Sequence, residues 1–171
     1  MKKLLLLALS FTLLTTTNSL AQLQIGYVDS DAILEQLPDA QDAQKKIDAL
    51  IQEWKEEIQK MQRDLDVQTK DFDKRKLVMS DNKRITVEKE LAKLESDITK
   101  YRDSKFGYKG ELYSKQEEIM KPIQNRIFTA IEEVADDEEL DFIFDKSGNV
   151  MFLYAKEDYD VTTKVLIKLE E

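Results

Sequence analysis

Carboxylates, lysines and hydroxyls are the side chains from which this chain could build chemistry, because it contains no cysteine and no histidine. A thiol nucleophile, a Ser-His-Asp triad, a zinc finger and a disulfide framework are thereby excluded. The densest acidic run, Glu132, Glu133, Asp136, Asp137, Glu138, Glu139 and Asp141, has the charge for a calcium site. It lacks the alternating ligands and central glycine of an EF-hand loop, and it reads as a solvated face or helix end. Gly107-Tyr108-Lys109-Gly110 is no phosphate loop, since the Walker spacing and its Lys-Ser/Thr pair are missing. Paired carboxylates abound, but none sits among apolar residues in a way that implies a pKa raised for acid-base work. No catalytic, cofactor-binding or metal-ligating residue is assigned, and the chain reads as a protein without enzymatic activity.

Binding chemistry is better represented. Lys70, Lys74, Arg75, Lys76, Lys83, Arg84 and Lys89 cluster within twenty residues, against Asp71, Asp73, Asp81 and Glu88. Phe72, Leu77, Val78, Met79 and Ile85 interleave with them. The cationic excess of three is modest, and an exported chain has no nucleic acid to meet, so the cluster is either a solvated helical face or a patch that contacts a protein partner. The apolar residues either close a helical seam or reach that partner, since only one side of a seam is buried.

The elements that carry this cluster are legible from periodicity. Between Pro38 and Gly107 lie 68 residues with neither glycine nor proline. Apolar residues recur there at Ala40, Ala43, Ile47, Leu50, Trp54, Ile58, Met61, Leu65 and Phe72, steps of three and four that define a helical seam. A second seam runs Val87, Leu91, Leu94, Ile98 and Tyr101, then Tyr108, Leu112, Ile119, Ile123, Ile127 and Val134. Ser80-Asp81-Asn82 separates them with residues that favour caps over helix interiors. The pattern predicts an antiparallel helical hairpin with its tip near residues 78–83, each arm of about 40 residues reaching about 60 Å at 1.5 Å per residue. Counting outward from Asp81 pairs Trp54 with Tyr108. One uninterrupted helix or a parallel coiled-coil dimer is the alternative. Pro122 is expected to kink or restart the returning helix; Gly107 and Gly110 are either a tolerated cost or a hinge.

Charge divides the chain in the same way. Residues 22–59 carry 3 basic and 9 acidic side chains, residues 60–110 carry 14 and 10, and residues 111–171 carry 7 and 16. A basic middle is thus flanked by acidic ends, as an arm projecting from a body formed by both ends. In that body, residues 24–29 read as a strand, and Ser30-Asp31 as the cap of a short helix from Ala32 to Leu37 that Pro38 ends. Asp141 to Asp145 and Val150 to Tyr154 read as strands joined by a hairpin turn at Lys146-Ser147-Gly148-Asn149, followed by a final helix capped by Asp160. Val150 to Tyr154 is apolar on both faces. About 75 residues of body cannot cover it, which argues for completion by other subunits. At the N-terminus, two lysines, an apolar run from Leu4 to Leu14 and small residues at Ser19 and Ala21 fit a cleavable secretory signal peptide over residues 1–21.

The blocks IGYVDSDAILEQLPDAQDAQKKI, KPIQNRIFTAIEEVA and DFIFDKSGNVMFLYAKEDYDVTTKVLIKL, set around a long charged hairpin, resemble the Skp or OmpH-like family of periplasmic chaperones. The resemblance implies a mainly α fold with a small β body, in which residues 22–38 and 121–171 form an oligomeric β-barrel-like body (α+β) and residues 39–120 a hairpin arm. It further implies a homotrimer whose arms hold unfolded outer-membrane proteins without nucleotide or other cofactor. On this reading Phe72, Lys74, Arg75, Lys76, Leu77, Val78, Met79, Lys83, Arg84 and Ile85 are client-contact candidates. Ile25, Tyr27, Phe142, Phe144, Val150, Phe152 and Tyr154 are oligomerisation candidates. A coiled-coil adaptor of the cell envelope is the alternative function. The resemblance does not extend to charge, because known members are basic whereas residues 22–171 carry a net charge of -11. No lipid or lipopolysaccharide site is carried over.

Overall fold

The computed structural model describes residues 23–148 and 152–171. The leader expected over residues 1–21 and the candidate Val150 lie outside them. The chain begins with strand β1 (Ile25–Val28) and helix α1 (Ser30–Gln36). Asp29, not Ser30 or Asp31, is the N-cap of α1, its Oδ1 accepting from the Ala32 amide at 3.0 Å. Leu37 is extended, as a residue before proline prefers, and Pro38 opens the next helix instead of merely ending this one.

Helix α2 (Pro38–Arg75) then runs unbroken for 38 residues, about 57 Å at 1.5 Å per residue. Its buried stripe is Ala40, Ala43, Ile47, Trp54 and Phe72. A 3-10 turn at Lys76–Val78 reverses the chain, and Ser80 caps α3 (Asp81–Phe106), which returns packed against α2. The hairpin, and not a single helix, is therefore the observed form.

The returning helix breaks at Gly107–Gly110, and Pro122 lies inside the following helix α4 (Glu111–Asp137) without interrupting it. A restart of the helix at Pro122 is thereby corrected. Pro122 is exposed, so the carbonyl its missing donor frees faces solvent, where the cost is low. The glycines, by contrast, are required. A Cβ on Gly107 would stand 2.3 Å from the Asp103 carbonyl oxygen, and one on Gly110 2.9 Å from that of Lys105. Between them Lys109 takes a left-handed conformation at φ 54°, and Tyr108, expected in the seam, is 94% exposed.

The C-terminal segment supplies β2 (Phe142–Asp145) and α5 (Thr162–Glu170). A parallel ladder joins β1 and β2, pairing Ile25 with Phe142 through Val28 with Asp145. A parallel pair needs a long crossover connection, and here the entire hairpin and α4 provide it. The antiparallel hairpin expected between residues 141–145 and 150–154 is corrected for its described part, since residues 152–154 are not a strand and β2 pairs with β1. Tyr27 of β1 also makes an isolated parallel bridge to Asp160. That aspartate accepts from the Thr162 amide at 2.9 Å while Val161 occupies the N-cap of α5.

The core unites these ends. Val28, Ile33 and Leu37 meet Ala40 and Ala43 of α2, Ile123, Ile127, Ala130 and Val134 of α4, and Val161, Val165 and Leu169 around α5. Arg126 of α4 adds an ion pair to Asp39 and a 3.1 Å hydrogen bond to the Leu169 carbonyl. The acidic run at the end of α4 is taken up by lysines of α5. Lys164 pairs with Glu138 at 2.5 Å, and Lys168 stands 3.5 Å from Glu133 and 3.6 Å from Asp137.

Candidate functional site

Two surfaces stand out, one at the tip of the arm and one on the body. At the tip, the 3-10 turn leaves Leu77 92% and Val78 86% exposed, because three residues reverse the chain with no helix beyond them to pack on. Met79 is half-buried and Ile85 exposed. Phe72 is buried in the seam at 9% exposure, so it closes the hairpin and does not belong to the exposed patch.

The basic residues there fall into two groups. Arg75 pairs with Asp71, Lys76 with Asp73 at 2.9 Å, and Arg84 with Asp81 at 2.7 Å, each with a residue three or four positions away. Exposed pairs of this kind contribute a few tenths of a kcal/mol each, roughly 0.3–0.5. Lys74 and Lys83 have no carboxylate within ion-pair distance among the described residues. Those two therefore carry uncompensated positive charge next to the turn.

On the body, the strand alternation of β2 turns Ile143 toward the core and Phe142 and Phe144 outward. Phe142 and Phe144 stack at 6.4 Å between ring centroids, Phe144 meets Phe152 at 6.4 Å, and Phe152 meets Tyr27 at 6.0 Å. Ile25, Phe142, Phe144, Phe152 and Tyr154 are exposed around this aromatic face, whereas Tyr27 is buried beneath it.

A polar knot holds the strand ends beneath that face. The Asp145 carboxylate accepts from the Ser30 amide at 3.2 Å, the Ser30 hydroxyl at 2.6 Å, the Ser147 amide at 3.0 Å and the Ser147 hydroxyl at 2.7 Å. Partial burial pushes its pKa up, but the bonds from Ser147 and Ser30 outweigh this and hold it below the usual carboxylate range. Lys146 reaches Asp29 at 3.4 Å and Asp160 at 3.7 Å, so N- and C-terminal segments share one charge cluster.

Sequence reasoning missed Ser30, Asp145 and Ser147 as a unit, since only the non-local pairing of β1 with β2 brings them together. It also missed Phe128, exposed on α4 beside a groove lined by Leu34, Ile131 and Ile143. Its signal was present, because Phe128 follows Ile127 directly and cannot share that residue's buried face. No helix among the described residues is long and apolar enough to cross a membrane.

A long helical hairpin rooted in a small body built from both chain ends, with an exposed apolar tip and an exposed aromatic face, is an arm-and-body architecture. The family model described as outer membrane protein (OmpH-like) matches residues 24–169, and the chain belongs to that family. A solved structure from Caulobacter crescentus CB15, described as a candidate OmpH-like outer membrane chaperone, shares the fold. Its TM-score is 0.72 at 14% identity, covering 91% of this chain and 89% of that one. No curated protein matches the sequence significantly.

Proposed function

We propose that the protein is an ATP-independent holdase of the periplasm that keeps unfolded outer-membrane proteins from aggregating between the arms of a homotrimer. The observation that carries this reading is the exposure of Leu77 and Val78 at the tip of a strongly charged arm. Small apolar patches set among charges bind an unfolded chain weakly. Several arms acting on one client convert such contacts into useful retention through effective concentration. The aromatic face of the body supports the assembly this requires, because each copy leaves apolar area uncovered that another copy can bury. OmpH-like membership and the described role of the Caulobacter protein agree with this reading.

The test is dilution of a urea-unfolded outer-membrane β-barrel protein into buffer with and without this protein, in the absence of ATP, followed by light scattering. A holdase suppresses the scattering at near-stoichiometric ratios. An envelope adaptor of the same shape leaves it unchanged, and that result would refute the proposal.

A further inference from the structure

Helix α3 is anchored unlike any other long element of the chain. It spans 26 residues yet buries only Ile98 fully, whereas α4, of 27 residues, buries Ile123, Ile127, Ala130 and Val134. Val87, Leu91, Leu94 and Tyr101 reach only intermediate burial. Among the described residues, no ion pair or side-chain hydrogen bond joins α3 to α2; the ion pairs of the distal arm lie within single helices. The contrast is α4, which is tied to α2 by Arg126 and Asp39 and to α5 by Lys168.

Both ends of α3 are joints. At one end is the turn Lys76–Val78, and at the other the break whose two glycines the backbone requires. What holds the second joint is a cluster around Trp54. The Phe106 ring meets the Trp54 ring edge-on at 5.8 Å, and the Lys105 ammonium lies 4.8 Å from the centroid of the Trp54 ring. The same ammonium pairs with Glu111 across the break, and the Lys105 side chain as a whole is 18% exposed. A partly desolvated cation over an indole is among the stronger contacts of its kind.

We infer that α3 is a strap that peels from α2 about these two joints, latched by Lys105, Phe106 and Glu111 on Trp54, and that the seam it covers is a concealed apolar client surface. Peeling bares Ile58, Met61, Leu65 and Phe72 on α2 and Leu91, Leu94 and Ile98 on α3. These give the arm far more apolar contact area than the exposed tip offers. The client half of the inference rests on the holdase reading; the mechanical half does not. The two helices respond differently to release. Helix α2 continues from turns anchored by Ala43, Ile47 and Trp54, so it propagates without a new nucleus, whereas a detached α3 has neither end fixed and must nucleate afresh.

The experiment is amide hydrogen exchange on the chain from Gln22 onward, with the single tryptophan as a second probe. Amides of residues 85–102 should exchange about tenfold faster than those of residues 55–70 and far faster than residues 123–134, as expected of a locally opening unit. Equal exchange on α2 and α3 overturns the strap, because the arm would then melt as a whole. Lys105→Met should speed exchange of residues 85–102 several-fold and shift Trp54 emission to the red, with residues 123–134 unchanged. No change in either readout overturns the latch. Adding a urea-unfolded outer-membrane β-barrel protein separates the two proposals. If it is kept soluble while α3 stays protected, the strap fails and the holdase stands. If it aggregates although α3 opens, the holdase reading fails and the strap stands.

Discussion

Trp54 and Phe106 meet edge to face at 5.8 Å, which centres the arm on Ser80 and joins the middle of α2 to the last turn of α3. Trp54 is 5% exposed and is the largest buried side chain of the arm. Trp54→Ala should therefore destabilise the hairpin by roughly 3 kcal/mol, the low end of the range for a buried aromatic. Denaturant unfolding followed by far-UV circular dichroism should show an early helical transition in the variant, with the exchange rates of residues 123–134 unaltered. A single transition displaced as a whole would mean that arm and body unfold together.

How much of this was readable beforehand depended on range. The seams of α2 and α3 follow from local periodicity, and counting from Asp81 put Tyr108 opposite Trp54, two residues from the observed Phe106. The error is physical, since the 3-10 turn places the midpoint at residue 80 and the break expels Tyr108 from the seam. The body was less legible. The parallel pairing of Ile25 with Phe142 joins residues 117 positions apart, and nothing in either strand specifies a parallel partner. Residues 150–154 read as a strand because they are apolar on both faces, yet their described part, residues 152–154, forms no strand and β2 pairs with β1 instead. Of the two candidate break points, the glycines carry the break and Pro122 does not restart the helix, because proline's cost depends on exposure, which sequence does not show.

Helix α4 ends in a Schellman arrangement with the wrong residue. Glu139 sits at φ 54°, its amide donating to the Asp136 carbonyl at 3.3 Å and that of Leu140 to the Ala135 carbonyl at 2.8 Å. Glycine is free of the steric penalty that glutamate pays there, and Glu139 is exposed. Glu139→Gly should stabilise the body by about 1 kcal/mol, measured by thermal melting. A fall in melting temperature would show that the Glu139 side chain contributes more than its conformation costs.

Acid should loosen the body before the arm. Asp145 is held below the usual carboxylate range against its partial burial, and so is Asp160, where bonds from Thr162 and the Lys146 charge outweigh burial. A carboxylate with a depressed folded pKa stabilises fully above its unfolded value of about 3.9 and ceases to do so as pH falls through the folded value. Stability should thus hold level above about pH 5 and decline progressively below about pH 4. Asp145→Asn should lower stability at neutral pH and flatten that decline. Melting curves between pH 2 and 7 decide the matter; parallel curves for both proteins would place the acid sensitivity elsewhere.

The aromatic face should govern assembly. Phe152 contacts both Tyr27 and Phe144, so a charge there faces apolar rings within the subunit and any copy packed on it. Phe152→Asp should disperse the proposed assembly, and Phe144→Asp should do the same, with the hairpin still helical. Assembly also couples folding to concentration, so dilution of the parent should lower its melting temperature. Sedimentation showing the same assembled species for parent and variants would exclude this face as the interface.

Charge at the tip should act on capture more than on retention. Attraction between exposed charges decays over about 8 Å at physiological salt, so it steers approach and adds little once apolar contacts form. Reversing Lys74, Arg75, Lys76, Lys83 and Arg84 to Glu together should slow client capture at low salt, but it also breaks the pairs with Asp71, Asp73 and Asp81. The sharper variant reverses only Lys74 and Lys83, which have no such partner among the described residues. That pair should reproduce most of the loss in capture rate with the helical content unchanged, and the difference from parent should vanish at high salt. Leu77→Ser with Val78→Ser should behave in the opposite sense, leaving the capture rate intact and shortening retention at every ionic strength. Stopped-flow capture and chase of a labelled client measure both quantities. If the two variants produce the same pattern, steering and grip are not separable at this tip, and the exposed turn functions as a single contact.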